Sequence, residues 1–176
     1  MSDADTTPRV PFLKNGIGQI AVVVEDIDKA VEAYWKILGI GPWRIYTYGK
    51  PMLKEMSYRG QPADFKMRVA LAKVGPLHFE LIQPLEGDTI YAEFVKEHGY
   101  GMHHFAVLVK DFEAARAEAE AAGLTLIQHG SGFGLDGDGG FAYFDTESEL
   151  SATFELLNLP KRRMPPERVY PPGDEA

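Results

Sequence analysis

The sequence predicts an α+β protein made of two copies of one strand–helix–three-strand unit. Three observations predict this class: an internal repeat, matching helix caps in the two copies, and runs of β-branched residues. Residues 19–30 and 104–115 align without a gap and are identical at five positions. Later in each copy, the tripeptide Phe-Glu-Leu recurs at residues 79–81 and 154–156. A repeat of this kind constrains the whole fold before any single residue does.

The first unit, residues 16–82, begins with a β-branched run over residues 16–24 that predicts a strand. Asp26 is a favourable N-cap, apolar residues follow it at helical spacing, and Gly39 predicts the end of the helix. Residues 49–63 are turn-rich. The remaining strands of the unit are predicted at residues 43–48, 65–72 and 76–82.

The second unit, residues 101–158, repeats this plan after a connector, residues 83–100, that contains a predicted short helix. Asp111 is again the cap of a helix, and Gly123 predicts where that helix ends. Strands are predicted at residues 102–109, 124–128, 141–145 and 151–157. The flanking segments are an N-terminal arm and a proline-rich C-terminal tail, residues 1–15 and 159–176.

Composition narrows the class of function. The formal net charge is −8, which argues against a nucleic-acid partner. No cysteine is present, which excludes disulfides, thiolate metal sites and thiol nucleophiles. The sequence contains no apolar run near the roughly 20 residues that span a bilayer, and its start has no signal-peptide core. A cytoplasmic protein without a membrane partner is the expectation.

Four polar residues stand at matched strand positions of the repeat: Gln19 and Glu80 in the first unit, His104 and Glu155 in the second. Side chains alternate along a strand, so pairing of the two units about a pseudo-twofold axis would bring all four into one cavity. Taken singly, each is more often an ordinary exposed or hydrogen-bonded residue. Two carboxylates on core strands, however, require a compensating cation because burying an unpaired charge is costly.

One imidazole, two carboxylates and one amide form a nitrogen and oxygen ligand set without sulfur. Such a set suits one divalent metal ion, with Zn²⁺, Co²⁺, Ni²⁺, Mn²⁺ and Fe²⁺ as candidates, and water can complete the coordination. Open positions of this kind are what a Lewis-acid catalyst needs. The sequence therefore predicts a metal site at Gln19, Glu80, His104 and Glu155.

Over residues 16–157 the chain resembles the vicinal oxygen chelate superfamily, which includes glyoxalase I, methylmalonyl-CoA epimerase, extradiol dioxygenases and antibiotic-resistance binding proteins. The resemblance implies two paired βαβββ modules that form a curved, open mixed β-sheet around a metal cavity, with the helices outside. It also implies that Gln19, Glu80, His104 and Glu155 occupy the four ligand positions. Residues 38–43 and 101–106 look most like the epimerase branch, whereas the Gln/Glu/His/Glu set is similar to one form of glyoxalase I.

The resemblance implies a metal-dependent isomerase, epimerase or lyase that moves a proton next to a carbonyl. The leading expectation is epimerase-like isomerisation of an acyl-CoA or related carbonyl or thioester substrate, with Glu155 as the base and Glu80 as the second candidate. Epimerases carry a further Glu on the strand that corresponds to residues 65–72, which here has no carboxylate, and this favours a one-base reaction or a different substrate.

Two alternatives stay open: a glyoxalase I-like lactoylglutathione lyase, and a non-catalytic protein that binds a small molecule. An extradiol dioxygenase is disfavoured because it needs two His and one carboxylate around Fe²⁺, and Gln19 stands at the position of the first His. A homodimer is expected, with the site formed within one chain or across the dimer. The predicted substrate-pocket residues are His78, Trp43, Tyr46, Arg68 and Phe133, with Tyr48 near the mouth.

Overall fold

The computed structural model describes Val10 and residues 16–173 of the chain. The predicted N-terminal arm therefore lies outside the described residues except for Val10. The strands are β1 (Gln19–Val23), β2 (Trp43–Tyr48), β3 (Glu55–Tyr58), β4 (Gln61–Pro62), β5 (Lys66–Val74), β6 (Leu77–Glu86), β7 (Gly101–Leu108), β8 (Leu126–Phe133), β9 (Gly139–Phe144), β10 (Thr153–Asn158) and β11 (Arg168–Tyr170). The helices are α1 (Ile27–Leu38), α2 (Ile90–His98), α3 (Phe112–Ala121) and α4 (Glu147–Leu150).

All of these strands form one curled mixed sheet in the order β11-β2-β5-β6-β1-β7-β10-β9-β8-β3-β4. In the first module β1 runs parallel to β6, and β5 and β2 follow as antiparallel neighbours. In the second module β7 runs parallel to β10, and β9 and β8 follow in the same way. The predicted α+β fold with a curved, open mixed sheet is confirmed.

The two modules meet where β1 pairs with β7 in the antiparallel sense. Gln19 lies opposite Ala106 and Ala21 lies opposite His104, so the register has local twofold symmetry about this pair of strands. A register shift follows Ala21, because Val22 pairs with Met102 and leaves His103 without an opposite residue. The strands that carry the predicted ligands therefore sit together at the centre of the sheet.

The sheet has a different core on each side. On the inner side, residues of both modules pack with α2 and β3 in one apolar cluster. On the outer side, α1 covers the first module and α3 covers the second, each with its own cluster. Both outer helices begin at an aspartate, since Asp26 and Asp111 each accept hydrogen bonds from the first turn of the helix that follows.

Each outer edge of the sheet is covered by a segment from the other half of the chain. The hairpin β3–β4 belongs to the first half but pairs with β8 of the second module. Strand β11 follows the second module but pairs with β2 of the first. The turn-rich residues 49–63 and the predicted tail thus contribute short edge strands that the sequence did not predict. Strand β8 also extends beyond the predicted end at residue 128, as far as Phe133.

Candidate metal centre

Neighbouring strands at the centre of the sheet bring together three of the predicted ligands. Glu80 on β6, His104 on β7 and Glu155 on β10 each offer a ligand atom, and these atoms lie within 4.8 Å of one another. All three side chains are buried, with exposed fractions of 8% for Glu80, 2% for His104 and 1% for Glu155. This group could hold a metal ion, as the residue types predicted.

The amide of Gln19 on β1 faces the same point. Its Nε2 donates a hydrogen bond to Glu80 Oε2 at 2.9 Å and lies 3.5 Å from Glu155 Oε2. Gln19 is 2% exposed. Because the two ends of a side-chain amide are exchanged by a simple rotation, the carbonyl oxygen can take the place that Nε2 holds here. All four residues predicted from the repeat therefore converge.

The Nε2 atom of His104 lies close to both carboxylates. It is 3.1 Å from Glu155 Oε2 and 3.3 Å from Glu80 Oε2. Neither contact has the direction of a hydrogen bond, so this buried nitrogen has no hydrogen-bond partner among the described residues. A nitrogen and two carboxylate oxygens that crowd one point without bonding to each other fit a shared cation.

Charge is poorly compensated at this centre in the metal-free protein. Burial raises the pKa of Glu80, because desolvation outweighs the favourable effect of His104. Burial alone would lower the pKa of His104, but the carboxylates of Glu155 and Glu80 overcome it and raise that pKa to about 9. In the metal-free protein, the proton on His104 partly compensates the charge of the two carboxylates. A divalent metal ion at this place would compensate it more fully.

His103 fixes the orientation of the His104 ring. The Nδ1 atoms of the two residues are 2.9 Å apart, so one of them must carry the proton between them. Burial, with repulsion from His104, lowers the pKa of His103 to about 2 and keeps its ring neutral. Because the pKa of His104 is raised to about 9, both of its ring nitrogens carry hydrogen at neutral pH, so His103 Nδ1 accepts from His104 Nδ1 and His104 Nε2 points towards the carboxylates.

A layer of aromatic side chains supports the two histidines. The Tyr91 hydroxyl donates to the Tyr143 hydroxyl at 2.8 Å, and both residues are fully buried. The His104 ring lies with its centroid 5.0 Å from that of Tyr143, and the His103 ring packs against Tyr91 and Phe94. Burial raises the pKa of both tyrosines well above the usual range, so both hydroxyls stay protonated.

A cavity of about 30 Å³ opens at the centre. This volume is that of about two water molecules, so it has room for a metal ion and only a small part of a ligand. Gln19, Glu80 and Glu155 form its polar end, while Tyr48 and Arg163 are the other polar residues in its wall. The remaining wall is apolar or aromatic and consists of Met67, Val69, Leu71, Phe133, Phe141, Tyr143, Leu157 and Leu159.

The residues predicted to line the substrate pocket lie in different parts of the structure. Phe133 lines the central cavity, and Tyr46 lines a smaller cavity beside it. Trp43 packs with Tyr34 and Phe79 on the outer side of the sheet, beneath α1.

Arg68 and His78 also lie away from the cavity wall. Arg68 forms an ion pair with Asp28 of α1 at 2.9 Å, on the outer side of the sheet. His78 is half-buried on β6 and does not belong to the wall of the central cavity. Its pKa is lowered, mainly by burial and also by the charge of Arg163.

Sequence reasoning did not place Arg163 or Leu159 at the site. Both belong to the predicted tail, which crosses the cavity before it reaches β11. No local pattern marks this segment, because it is held by contacts with distant residues. The Leu135 amide, for example, donates to the Arg162 carbonyl oxygen at 2.9 Å.

Residues 18–144 match the family described as the Glyoxalase/Bleomycin resistance protein/Dioxygenase superfamily. The match covers more than half of the chain, and the protein therefore belongs to this superfamily, as the resemblance over residues 16–157 implied. No curated protein matches the chain at a significant level of similarity.

Solved structures share the fold at low sequence identity. A hypothetical protein from Bacillus halodurans C-125 is 21% identical with a TM-score of 0.58, over 84% of this chain and 96% of that one. Methylmalonyl-CoA epimerase from Mycobacterium tuberculosis is 20% identical with a TM-score of 0.59, over 81% and 87%. A Streptomyces coelicolor methylmalonyl-CoA epimerase variant in complex with 2-nitronate-propionyl-CoA is 19% identical with a TM-score of 0.61, over 81% and 95%.

None of the helices among the described residues is long and apolar enough to cross a bilayer.

Proposed function

We propose that this protein is a divalent-metal-dependent enzyme that transfers a proton at the carbon next to a carbonyl group. The observation that carries the proposal is the buried His104 Nε2, which lies 3.1 and 3.3 Å from two carboxylate oxygens without forming a hydrogen bond to either. Two buried carboxylates and an imidazole with this geometry favour a bound cation over a purely structural cluster.

The ligands proposed for the metal are Glu80, His104 and Glu155, with the Gln19 amide oxygen as the fourth. Nitrogen and oxygen donors without sulfur suit Zn²⁺, Co²⁺, Ni²⁺, Mn²⁺ or Fe²⁺. When bound, such an ion acts as a Lewis acid that stabilises negative charge on the oxygen of a carbonyl next to the reacting carbon.

Glu155 is the proposed base. The Oε2 of Glu80 accepts a 2.9 Å hydrogen bond from Gln19, whereas Glu155 Oε2 lies 3.5 Å from the same nitrogen and is held less firmly. The less constrained carboxylate is better able to swing towards a substrate and take a proton from carbon. The same carboxylic acid then delivers the proton to the neighbouring carbon, which isomerises the substrate without another acceptor, whereas return to the original carbon from the same face gives hydrogen exchange alone.

The proposed substrate is an acyl-CoA or a related carbonyl compound, as for the methylmalonyl-CoA epimerases that share the fold. The second base that such epimerases use has no counterpart on β5, since the inward-facing residues there are Met67, Val69 and Leu71. A one-base proton transfer is consistent with the absence of a carboxylate among these inward-facing residues of β5. By the same analogy we propose a homodimer in the cytoplasm.

Solvent deuterium exchange tests the proposal. The protein is loaded separately with Zn²⁺, Co²⁺, Ni²⁺ and Mn²⁺, and incorporation of deuterium at C2 of methylmalonyl-CoA is followed by mass spectrometry. We expect exchange with at least one metal, and we expect its loss in Glu155→Gln. Glu149→Gln, an exposed carboxylate on α4, is the matched control and should behave as wild type.

A lactoylglutathione lyase is the second candidate, because it is the reaction of superfamily members with a Gln/Glu/His/Glu ligand set. The same metal-loaded samples are assayed with the hemithioacetal of methylglyoxal and glutathione. Inactivity of every metal form on both substrates would contradict the proposed reactions. Binding of a small molecule without bound metal would instead favour the non-catalytic alternative.

A further inference from the structure

One charged side chain in the cavity wall has no role in the centre described above. Arg163 lines both the central cavity and the smaller one beside it. It is partly buried, and it forms no hydrogen bond or ion pair within the described part of the chain. An arginine that faces a cavity without a partner leaves its planar set of donors free for a ligand.

The neighbouring basic residues do not share this position. Arg162 forms an ion pair with Asp136, and Arg168 forms one with Asp28. Lys161 is exposed and belongs to neither cavity wall. Residues 161–163 are three consecutive basic residues, and Arg163 is the one that lines the two cavities.

The backbone on both sides of Arg163 is held in place. Before it, the Lys161 amide donates to Asp138 Oδ2 at 3.3 Å, and the Arg162 carbonyl accepts from Leu135 at 2.9 Å. After it, the Glu167 carboxylate accepts hydrogen bonds from the backbone amide and the hydroxyl of Thr47, at 2.9 and 3.1 Å. The segment 159–167 therefore forms a strap that carries Arg163 to a defined place over the cavity.

Arg163 lies in the same cavity wall as the two carboxylates, Glu80 and Glu155. Arg163 nevertheless forms no ion pair with Glu80 or Glu155. The part of a ligand that reaches Glu80 and Glu155 therefore also comes close to Arg163, because all three residues line the same small cavity.

We propose that Arg163 binds a carboxylate on the substrate, so that the substrate is a carbonyl compound with an acid group close to its reacting carbon. This inference rests on the proposed function and specifies its substrate class. The phosphates of a CoA group are separated from the thioester carbonyl by the full pantetheine arm. A cation beside the buried carboxylates is therefore placed for an anion on the acyl part. Arginine suits a carboxylate because it forms two parallel hydrogen bonds to it.

Equilibrium binding tests the inference without requiring turnover. Acetoacetate and its neutral analogue acetoacetamide are titrated into zinc-loaded protein by calorimetry, and inorganic phosphate is titrated separately. Wild type should bind acetoacetate about 10- to 100-fold more tightly than the amide, the range of a charged hydrogen-bonded contact. Phosphate should bind more weakly than acetoacetate.

Three variants locate the contact. Arg163→Gln should lose the preference for acetoacetate over acetoacetamide, and Arg163→Lys, which keeps the charge but not the paired donors, should retain part of it. Lys161→Gln removes the same charge from the same strap and should bind both compounds as wild type does. Equal thermal unfolding temperatures in these variants would show that the fold is unchanged.

Two results would overturn the inference: an Arg163→Gln variant that keeps the full preference, or wild-type protein that does not bind acetoacetate. Stronger Arg163-dependent binding of phosphate would also overturn it, because the anion would then be a phosphoryl group. Arg163-dependent acetoacetate binding in a protein without deuterium exchange would contradict the proposed reaction but not this binding site. Exchange that is unaffected in Arg163→Gln would contradict this site alone.

Discussion

The two modules of the sheet have the same strand plan but place different chemistry at equivalent points. The first module supplies Gln19 and Glu80, and the second supplies His104 and Glu155. The carboxylates match, whereas an amide stands in one module where an imidazole stands in the other. The repeated framework therefore fixes where these side chains meet, and the residue type at each position sets which donor atom and which charge it offers.

We expect the two modules to differ most in the effect of replacing the carboxylate that each one supplies. We expect Glu155→Gln to lower kcat by about 10²- to 10⁴-fold, the usual contribution of a general base, while much of the metal stays bound. Glu80→Gln should instead reduce the metal content more than Glu155→Gln does. Steady-state kinetics and metal analysis of both variants check this assignment, and equal activity of Glu155→Gln and wild type would contradict the role of Glu155.

The next test replaces the imidazole of His104 and the amide of Gln19 one at a time. His104→Ala should weaken zinc binding by more than about 100-fold, because even residues behind a ligand contribute 10- to 100-fold. Gln19→Ala should have a smaller effect, since an amide is the weaker ligand. Gln19→His makes the two halves alike and should tighten zinc binding. Competition with a chromogenic chelator measures all three, and equal losses in the two alanine variants would contradict the comparison.

His103 belongs to the second module only, since the corresponding residue in the first is Gly18. His103→Phe removes the acceptor that holds His104 Nδ1 at 2.9 Å and should weaken zinc binding by about 10- to 100-fold. His98→Phe, a change at a half-exposed residue of α2, is the control. Nitrogen NMR of the imidazoles should also show a change of the His104 tautomer in His103→Phe, which a purely structural role would not produce.

Metal binding should depend on pH through His104. Its pKa in the metal-free protein is raised to about 9, so below that pH a proton must leave before Nε2 can bind an ion. Apparent zinc affinity should fall by up to about tenfold per pH unit as the pH decreases from 9 to 6.

The raised pKa of His104 also makes the stability of the metal-free protein depend on pH, in the direction opposite to that of the zinc affinity. The interaction of protonated His104 with the carboxylates is fully present below the ordinary histidine pKa of about 6.5. It is lost as the pH rises through about 9. Thermal unfolding with and without zinc should therefore diverge as the pH increases. A zinc-induced shift that is constant across this range would contradict the assignment.

The smallest expected difference lies in the outer helices. Asp26 accepts hydrogen bonds from the amides of Asp28 and Lys29 at 3.0 and 3.1 Å, whereas Asp111 accepts one from Ala114 at 3.1 Å. Asp26→Ala should lower Tm by about 2–4 °C, and Asp111→Ala by less. Calorimetry of both variants checks the order.

The sequence predicted the central strands and the outer helices because their signals are local, and it predicted the four converging residues because they stand at matched positions of the repeat. A cap such as Asp26 and the alternation along β1 and β7 are encoded within a few residues. Strands β3, β4 and β11 were not predicted, because they are short and are defined by distant partners at the sheet edges.

The pocket residues show a second limit. Trp43 and Tyr46 are three residues apart on β2 and face opposite sides of the sheet, so an aromatic cluster in a strand cannot all line one cavity. Which side faces the cavity depends on how β2 pairs with β5, and this register is set by the whole sheet. Arg163 was missed for a similar reason, since the path of the strap depends on contacts with residues far away in sequence.

Anomalous diffraction from a crystal of the protein grown with zinc tests the central claim most directly. We expect one peak at about 2.0–2.2 Å from His104 Nε2 and from oxygens of Glu80 and Glu155. A zinc-saturated crystal with no peak between these three side chains, or with the ion bound elsewhere, would contradict the account.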